Sequence, residues 1–294
     1  MTLVDVLPRI AKLLLLAVGG YAVFIGGVYA VQREIVFPRH FLNAAPFLSM
    51  VGGDFEHITL ETADGEQLKA YWKPPVGLAP VVVTFHGNGS LPEPLAVRFG
   101  SAPWSDAGYG VLSFAYRGYP GSTGTPTEAG LLLDGEAALA FVAERAPLNP
   151  IVLHGHSLGT GVAVAMSARH PSLALVLEAP FSSLPDVVAA TMPYLPGFLM
   201  QDRFPSVQRI TESQAQTIIV THGVRDRIVP FSLGQRLFDS APRGTFLAVN
   251  EADHLTIRGI RDGEILDLLR QMPSAEPPVD PVLTPLEGPV VTAV

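Results

Sequence analysis

The chain has 294 residues, a length that fits one large α/β domain better than two standard domains. Its 27 acidic residues outnumber its 19 basic residues and give a formal net charge of −8, the wrong sign for binding a phosphate backbone, so we expect no nucleic-acid partner. Cysteine is absent, which excludes disulfides, thiolate metal ligands and a cysteine nucleophile.

Residues 1–35 are predicted to be a membrane anchor. From Leu13 to Val31 the chain carries no formal charge, which is close to the roughly 20 residues that a helix needs to cross a bilayer. A cleaved signal peptide is the alternative, because Arg9 and Lys12 form a basic leader and residues 28–30 resemble a cleavage site. The uncharged run exceeds the roughly 7 to 15 apolar residues of a signal peptide, which favours the anchor. It is also apolar all round, which disfavours a buried helix of a soluble protein.

Basic residues around this run do not choose a side of the membrane. Arg9 and Lys12 precede the uncharged run, and Arg33 and Arg39 follow it. The short basic head favours a cytoplasmic amino terminus, which would place the rest of the chain on the non-cytoplasmic side.

Short apolar runs alternate with helical patterns in the middle of the chain. Asp64-Gly65 is a strong hairpin signal, and the later runs are spaced widely enough for crossover helices. This pattern predicts a hairpin followed by a doubly wound, mostly parallel sheet of about eight strands with helices on both faces. The predicted strands are Phe55–Glu61, Gln67–Lys73, Val81–Phe85, Val111–Ala115, Ile151–His154, Leu173–Glu178, Thr217–Thr221 and Thr245–Val249, and the predicted helices are Glu128–Glu144, Leu158–Arg169, Phe231–Ser240 and Leu255–Gln271.

Two segments depart from this alternation. Residues 181–213, between the sixth and seventh predicted strands, are rich in apolar side chains and too long for a bare turn. We expect them to form a short lid-like insertion, and the alternative is that these side chains complete the core. Residues 273–294 carry six prolines and three charged residues, which predicts a disordered tail. The folded domain is therefore expected over residues 36–272.

The strongest chemical signal is the pattern Gly-x-Ser-x-Gly at residues 155–159. It stands between a predicted strand and a predicted helix, where a sharp turn would hold Ser157 out from the sheet as a nucleophile. Gly155 and Gly159 would leave space where side chains would collide. Glycine and serine are frequent in this chain, so the pattern alone is weak, and its position favours a nucleophile over a plain tight turn.

A serine nucleophile needs a base and an orienting carboxylate. Of the eight histidines, only His254 follows the last predicted strand, where a loop could return it over Ser157. Asp226 follows the preceding strand and could fix the His254 tautomer, which gives the order serine, aspartate, histidine expected for this architecture. A solvated ion pair with its arginine neighbours is the alternative role for Asp226, and Asp253 and Glu178 are the substitute carboxylates.

An oxyanion site requires two main-chain N–H donors. One is expected from Leu158, at the start of the helix that follows the serine. The second is expected from Asn88, after the strand Val81–Phe85, where Gly87 and Gly89 would let the backbone approach a substrate. A plain glycine turn is the alternative for this loop.

Together these residues resemble the serine α/β-hydrolase superfamily over about residues 37–270. Within it, membrane-anchored α/β-hydrolase-domain proteins are similar in the amino-terminal span, Phe37-Pro38, His86–Gly89, Tyr116–Ser122 and Glu178–Phe181. The resemblance implies an α/β-hydrolase fold after one transmembrane helix, and cleavage of carboxylic esters or thioesters, acyl or lipid-like, without metal or organic cofactor. It also implies that Arg117 organises its loop rather than contacting substrate. The expected partners are a small-molecule or acylated-protein ester and, through residues 13–31, the lipid bilayer.

Three other functions fit parts of the pattern. A peptidase or amidase would use the same three side chains. A non-catalytic, membrane-tethered scaffold usually lacks a member of the triad, whereas all three residue types are present here. A metal hydrolase would draw on His86, His154, His156, His222 and Asp226 at the carboxyl ends of the strands, but the sequence contains no H-E-x-x-H helix or comparable ligand pair.

Overall fold

The computed structural model describes residues 3–272, and its centre is one eight-stranded sheet. The strands are β1 (Glu56–Glu61), β2 (Gln67–Lys73), β3 (Val81–Phe85), β4 (Gly110–Phe114), β5 (Ile151–His156), β6 (Ser172–Glu178), β7 (Ala215–Gly223) and β8 (Thr245–Val249). Their order is β1-β2-β4-β3-β5-β6-β7-β8. β2 pairs antiparallel with β1 and β4, and all other neighbours are parallel. The predicted hairpin and mostly parallel sheet are confirmed, with every strand end within two residues of its predicted position.

Helices connect the strands and cover both faces of the sheet. The helices are α1 (Leu3–Val36), α2 (Ala45–Leu48), α3 (Pro92–Gly100), α4 (Glu128–Arg145), α5 (Leu158–Arg169), α6 (Leu184–Thr191), α7 (Ser206–Ile210), α8 (Phe231–Asp239) and α9 (Asp262–Arg270). Apolar side chains of α4, α5 and α8 pack on one face of the sheet, and those of α3 and α9 pack on the other. The expectation of cover on both faces is therefore confirmed.

The predicted helix Leu255–Gln271 is wrong in its first half. The helix begins at Asp262, and residues 255–261 form turns. Gly259 has φ +75°, a left-handed conformation that ends a helical path, and its N–H donates to the Glu178 carboxylate at 3.0 Å. A contact with a distant strand thus overrides the local helical pattern.

The first helix, α1, continues directly into the folded domain. By length and composition Arg9–Val36 could cross a membrane, and within residues 3–272 it is the one helix that could. The next residue, Phe37, is fully buried in the main core. The segment predicted as a lid-like insertion, residues 181–213, contains α6, a single helical turn and α7, and it contacts α1. The predicted tail, residues 273–294, lies outside the described residues.

Arg117 ties the loop after β4 to two other elements. Its Nε donates to Asp134 of α4 at 2.7 Å, and its terminal nitrogens donate to Asp64 of the hairpin turn at 2.7 and 3.0 Å. The Arg117 and Asp134 side chains are buried. Arg117 therefore organises this loop, as the resemblance implied.

Replacing Arg117 with Met is expected to lower the free energy of unfolding by about 3–5 kcal/mol, because the buried Asp134 carboxylate loses its partner. Arg145→Met is the matched control. Arg145 pairs with Glu56 where the side chains are 44% and 50% exposed, so its loss should cost about 1 kcal/mol or less. Urea denaturation of the full-length protein in detergent measures both. Equal losses would contradict the structural role of Arg117.

Candidate active site

Ser157 occupies a strained turn between β5 and α5. Its backbone has φ 52° and ψ −121°, a conformation that residues other than glycine rarely adopt. Its N–H donates to the Glu178 carbonyl oxygen at 2.9 Å. A Cβ atom at Gly155 would lie 2.7 Å from the Gly159 carbonyl oxygen, and one at Gly159 would collide with the carbonyl oxygen of Phe85. The two glycines therefore permit the close approach of α5 to the sheet that the sequence pattern predicted.

Three predicted side chains converge at this turn. His254 Nε2 lies 2.9 Å from Ser157 Oγ, and His254 Nδ1 lies 2.7 Å from Asp226 Oδ2. The carboxylate accepts only, so His254 Nδ1–H donates to Asp226, and Nε2 is left to accept the Ser157 hydroxyl proton. Ser157, Asp226 and His254 are each no more than 7% exposed. The arrangement can remove a proton from the serine and stabilise the resulting imidazolium.

Asp226 is held as an ionised acceptor. Its second oxygen, Oδ1, accepts the main-chain N–H groups of Ile228 and Val229 at 2.9 and 2.8 Å. Burial by itself would raise the pKa of Asp226, but the ring nitrogens of His222 and His254 and these N–H donors outweigh it and hold that pKa well below its usual range. The carboxylate is therefore charged at neutral pH and can orient His254.

The substitute carboxylates are engaged elsewhere. Glu178 accepts both terminal nitrogens of Arg98, at 2.7 and 2.9 Å, and lies 2.9 Å from His154 Nε2. Asp253 is exposed, and its carboxylate accepts the N–H of Leu255 at 2.9 Å within its own turn. Asp226 is therefore the carboxylate that the structure brings to His254.

The loop after β3 lies beside the serine and is held from two sides. The Tyr119 hydroxyl donates to the Asn88 carbonyl oxygen at 2.8 Å, and the neighbouring His86 Nδ1–H donates to the Gly87 carbonyl oxygen at 2.8 Å. A Cβ atom at Gly87 would lie 3.1 Å from the His156 ring, so this position favours glycine. Nothing lies within 4 Å of a Cβ atom at Gly89, so the described residues leave that position open.

The main-chain N–H groups of Asn88 and Leu158 remain available. Within residues 3–272 neither N–H group donates to a main-chain or side-chain acceptor. Leu158 is the first residue of α5, where a free N–H group and the positive end of the helix dipole favour an anionic oxygen. The geometry is therefore compatible with the predicted oxyanion donors.

Comparison with known proteins places the chain in a family. Residues 80–256 match the family model of the alpha/beta hydrolase fold. An uncharacterized protein of Mycobacterium tuberculosis is 35% identical over 244 residues, which cover 80% of this chain and 83% of that protein. The chain belongs to the α/β hydrolase family.

Two further similarities bear on this hydrolase. The lysophosphatidylserine lipase ABHD12 of Danio rerio is 32% identical over 188 residues, which cover 57% of this chain and 49% of the lipase. An esterase of Pyrococcus furiosus has a similar structure, with a TM-score of 0.61, 20% sequence identity, and coverage of 74% of this chain and 91% of the esterase. At that identity the esterase supports the fold alone.

Sequence reasoning missed two of the groups that hold the candidate site in place, His156 and His222, whereas it expected His86 to support the loop after β3. His156 lies in the elbow, and its Nε2–H donates to the main-chain oxygen of His254 at 3.1 Å. Burial lowers the pKa of His156 to about 3 and that of His86 to about 4, so both rings are neutral hydrogen-bonding groups at neutral pH. His222 packs behind Asp226, with its Nε2 3.4 Å from the carboxylate. The elbow pattern leaves the residue before Ser157 unspecified, so no local signal marked these contacts.

An open cavity lies beside the Asn88 loop. Its walls come from the segment after α1, from the loop after β3 and α3, and from the loop that carries His254. The lining residues are Phe41, Leu42, Asn43, Phe47, Gly89, Ser90, Leu91, Pro94 and Arg258. The segment that follows the membrane-anchor candidate thus lies beside the loops that carry Asn88 and His254.

The histidines proposed for a metal site do not converge. His154 contacts Glu178, His156 contacts His254, and His222 Nε2–H donates to the Val229 carbonyl oxygen at 3.0 Å. Among the residues that the structure describes, no group of three or more His, Asp or Glu side chains could hold a metal ion. Each of these three histidines instead forms a hydrogen bond that connects two segments of the chain.

Gly159→Ala is expected to lower the melting temperature sharply, because the new methyl group collides with the main chain of β3. Gly89→Ala is the matched control, since open space surrounds that position. Thermal unfolding of the two variants, followed by circular dichroism, measures the difference. A Gly159→Ala protein as stable as Gly89→Ala would contradict the close contact between α5 and β3.

Proposed function

We propose that this α/β hydrolase is a membrane-anchored serine hydrolase that cleaves carboxylic esters and thioesters through an acyl-enzyme. The observation that carries the proposal is the continuous hydrogen-bond chain from Ser157 through His254 to Asp226. A serine alone is a poor nucleophile at neutral pH, and this chain supplies the base and its orienting carboxylate.

The first half of the reaction forms the acyl-enzyme. Ser157 Oγ attacks the carbonyl carbon while its proton passes to His254 Nε2. The oxygen of the tetrahedral intermediate accepts hydrogen bonds from the N–H groups of Asn88 and Leu158, each worth about 3 kcal/mol in comparable sites. When the intermediate collapses, His254 gives the proton to the departing alcohol or thiol. Asp226 stays ionised and holds the imidazolium.

The second half releases the acid. A water molecule attacks the acyl carbon and gives a proton to His254 Nε2, and the same two N–H groups bind the new oxyanion. Collapse of this intermediate breaks the bond to Ser157 Oγ, which takes back the proton. The scheme uses no metal and no organic cofactor.

Three observations favour an acyl lipid as the substrate. The site lies beside a cavity that is lined in part by the segment after α1, and Phe41, Leu42 and Phe47 give this cavity an apolar wall. The helix itself is long and apolar enough to anchor the enzyme at a bilayer. The relative ABHD12 is named a lysophosphatidylserine lipase. We therefore propose the ester of a single-chain acyl lipid ahead of an acylated protein, at a membrane that α1 anchors.

A fluorophosphonate probe is expected to label the full-length protein and to fail on Ser157→Ala, because the probe requires an activated serine. Asp226→Asn should retain the fold and lose about 10⁴-fold in kcat, since the amide favours the wrong His254 tautomer. Ser101→Ala, at an exposed position, is the control and should label normally. A wild-type protein that takes no label would favour the non-catalytic scaffold.

Among p-nitrophenyl esters in mixed micelles, kcat/KM is expected to rise by up to about fourfold for each added methylene until the acyl site is filled. Acyl thioesters should also be cleaved, and aminoacyl amides far more slowly. Parallel assays of the three classes on full-length protein, with Ser157→Ala as the blank, measure this preference. Faster cleavage of amides than of esters would favour the peptidase alternative, and a flat chain-length profile would contradict a lipid pocket.

A further inference from the structure

One uncharged segment of the molecule has no role in the proposed reaction. From Val187 to Gln201 the chain carries no formal charge, and its bend after α6, residues 192–200, is here termed the cap tip. Tyr194 and Phe198 of the cap tip are 58% and 74% exposed. Large exposed apolar side chains that lie near one another in the chain are typical of surfaces that contact a partner protein, a ligand or a membrane.

The cap tip lies along α1. The Tyr21 hydroxyl donates to the Tyr194 carbonyl oxygen at 2.6 Å, and the Gln32 side chain accepts the Gln201 N–H at 2.9 Å. An apolar groove separates the two elements and is lined mainly by Ile25, Val28, Met192, Leu195, Leu199 and Met200. The cap tip therefore follows α1 over several turns toward its amino-terminal end.

The uncharged stretches of the two elements end at the same level. In α1 the first charge after the uncharged run is Arg33, and after the cap tip it is Asp202. Arg33 Nε donates to Asp202 Oδ2 at 2.9 Å. A shared boundary between uncharged and charged residues is what a membrane surface imposes on neighbouring segments.

The contact with Tyr21 sets the depth of the cap tip. Tyr21 lies ten residues before Val31, which is about 15 Å along a helix axis. If α1 crosses a bilayer through residues 13–31, the main chain at Tyr194 lies up to that distance below the level of Val31. The cap tip would then reach the hydrocarbon of the leaflet that faces the folded domain.

The backbone of the cap tip suits this environment. A non-helical segment at membrane depth must satisfy its polar groups within the protein. Pro193 and Pro196 have no N–H to satisfy, and the N–H groups of Leu195, Leu199 and Met200 donate to the carbonyl oxygens of Met192, Pro196 and Gly197. The carbonyl oxygen of Tyr194 accepts from α1. Much of the main chain is thus bonded internally while apolar side chains face outward.

We propose that the cap tip is a second membrane-inserting element, embedded in the leaflet beside α1 and contacting lipid acyl chains. The proposal rests on the membrane anchoring by α1 in the proposed function, and it is independent of the triad chemistry. Insertion of the cap tip would orient the hydrolase, because α1 and the cap tip together would determine which side of the domain faces the bilayer.

Because the chain has no cysteine, single-cysteine variants test the proposal cleanly. An environment-sensitive fluorophore is attached to Phe198→Cys in full-length protein reconstituted into phosphatidylcholine vesicles that contain nitroxide-labelled acyl chains. Val23→Cys, 77% exposed on α1, is the control for membrane depth. Leu148→Cys, 62% exposed and just before the amino-terminal end of β5, whereas the cap tip follows the carboxyl end of β6, is the control for an exposed apolar position in water.

The label at position 198 is expected to lose most of its fluorescence to the nitroxide lipids, as at position 23, while the label at 148 keeps its fluorescence. Thermal unfolding confirms that each variant is folded. Quenching at position 23 without quenching at position 198 would overturn the insertion of the cap tip. If the emission at position 198 then depends on the protein-to-lipid ratio, a second copy of the chain covers the cap tip instead of lipid. Loss of quenching at both 23 and 198 would instead overturn the membrane anchoring itself.

Discussion

The close packing of α5 against β3 at Gly159 is the constraint on which the site depends. Because Gly159 has no Cβ atom, α5 can lie this close to β3, and the chain turns from β5 into α5 at the single residue Ser157, which has φ 52°. The same approach brings the start of α5 beside the loop after β3, so that the N–H groups of Leu158 and Asn88 belong to adjoining backbone segments. The positions of the candidate nucleophile and of the candidate oxyanion donors are thus consequences of one steric arrangement.

Buried polar groups connect the turn at Ser157 to the loop that carries His254. Glu178 accepts the Ser157 N–H through its carbonyl oxygen and the Gly259 N–H through its carboxylate, so the end of β6 fixes both the elbow and the loop that carries His254. A buried carboxylate is costly unless it is paired, and Arg98 supplies the opposite charge. His156, neutral because it is buried, adds a hydrogen bond to His254. The geometry of the candidate site is therefore supported by side chains outside the Ser157–His254–Asp226 chain.

The sequence predicted those parts of the site whose signals are local. The strands are recognisable because they are short apolar runs between turn residues. Ser157 is marked by the Gly-x-Ser-x-Gly pattern, and Asp226 and His254 by their positions after later strands. Contacts between distant segments had no such signal. The bond from Tyr119 to Asn88 joins two loops, and the start of α9 depends on a bond from Gly259 to β6, so the helical pattern from Leu255 was misleading. Helix α3 begins with prolines, Pro92 and Pro94, which hid it from a periodicity argument.

The first helix is part of the folded domain as well as its membrane-anchor candidate. Phe37, directly after α1, is buried in the core. Arg33 and Gln32 form hydrogen bonds with residues 201–202, which follow the cap tip. A flexible tether would let the domain rotate freely above a membrane, whereas these contacts couple the direction of α1 to the direction of the sheet. The segment after α1 also lines the cavity beside Asn88. In the proposed function, orientation at the bilayer and access to Ser157 would therefore both depend on the short stretch of chain that follows α1.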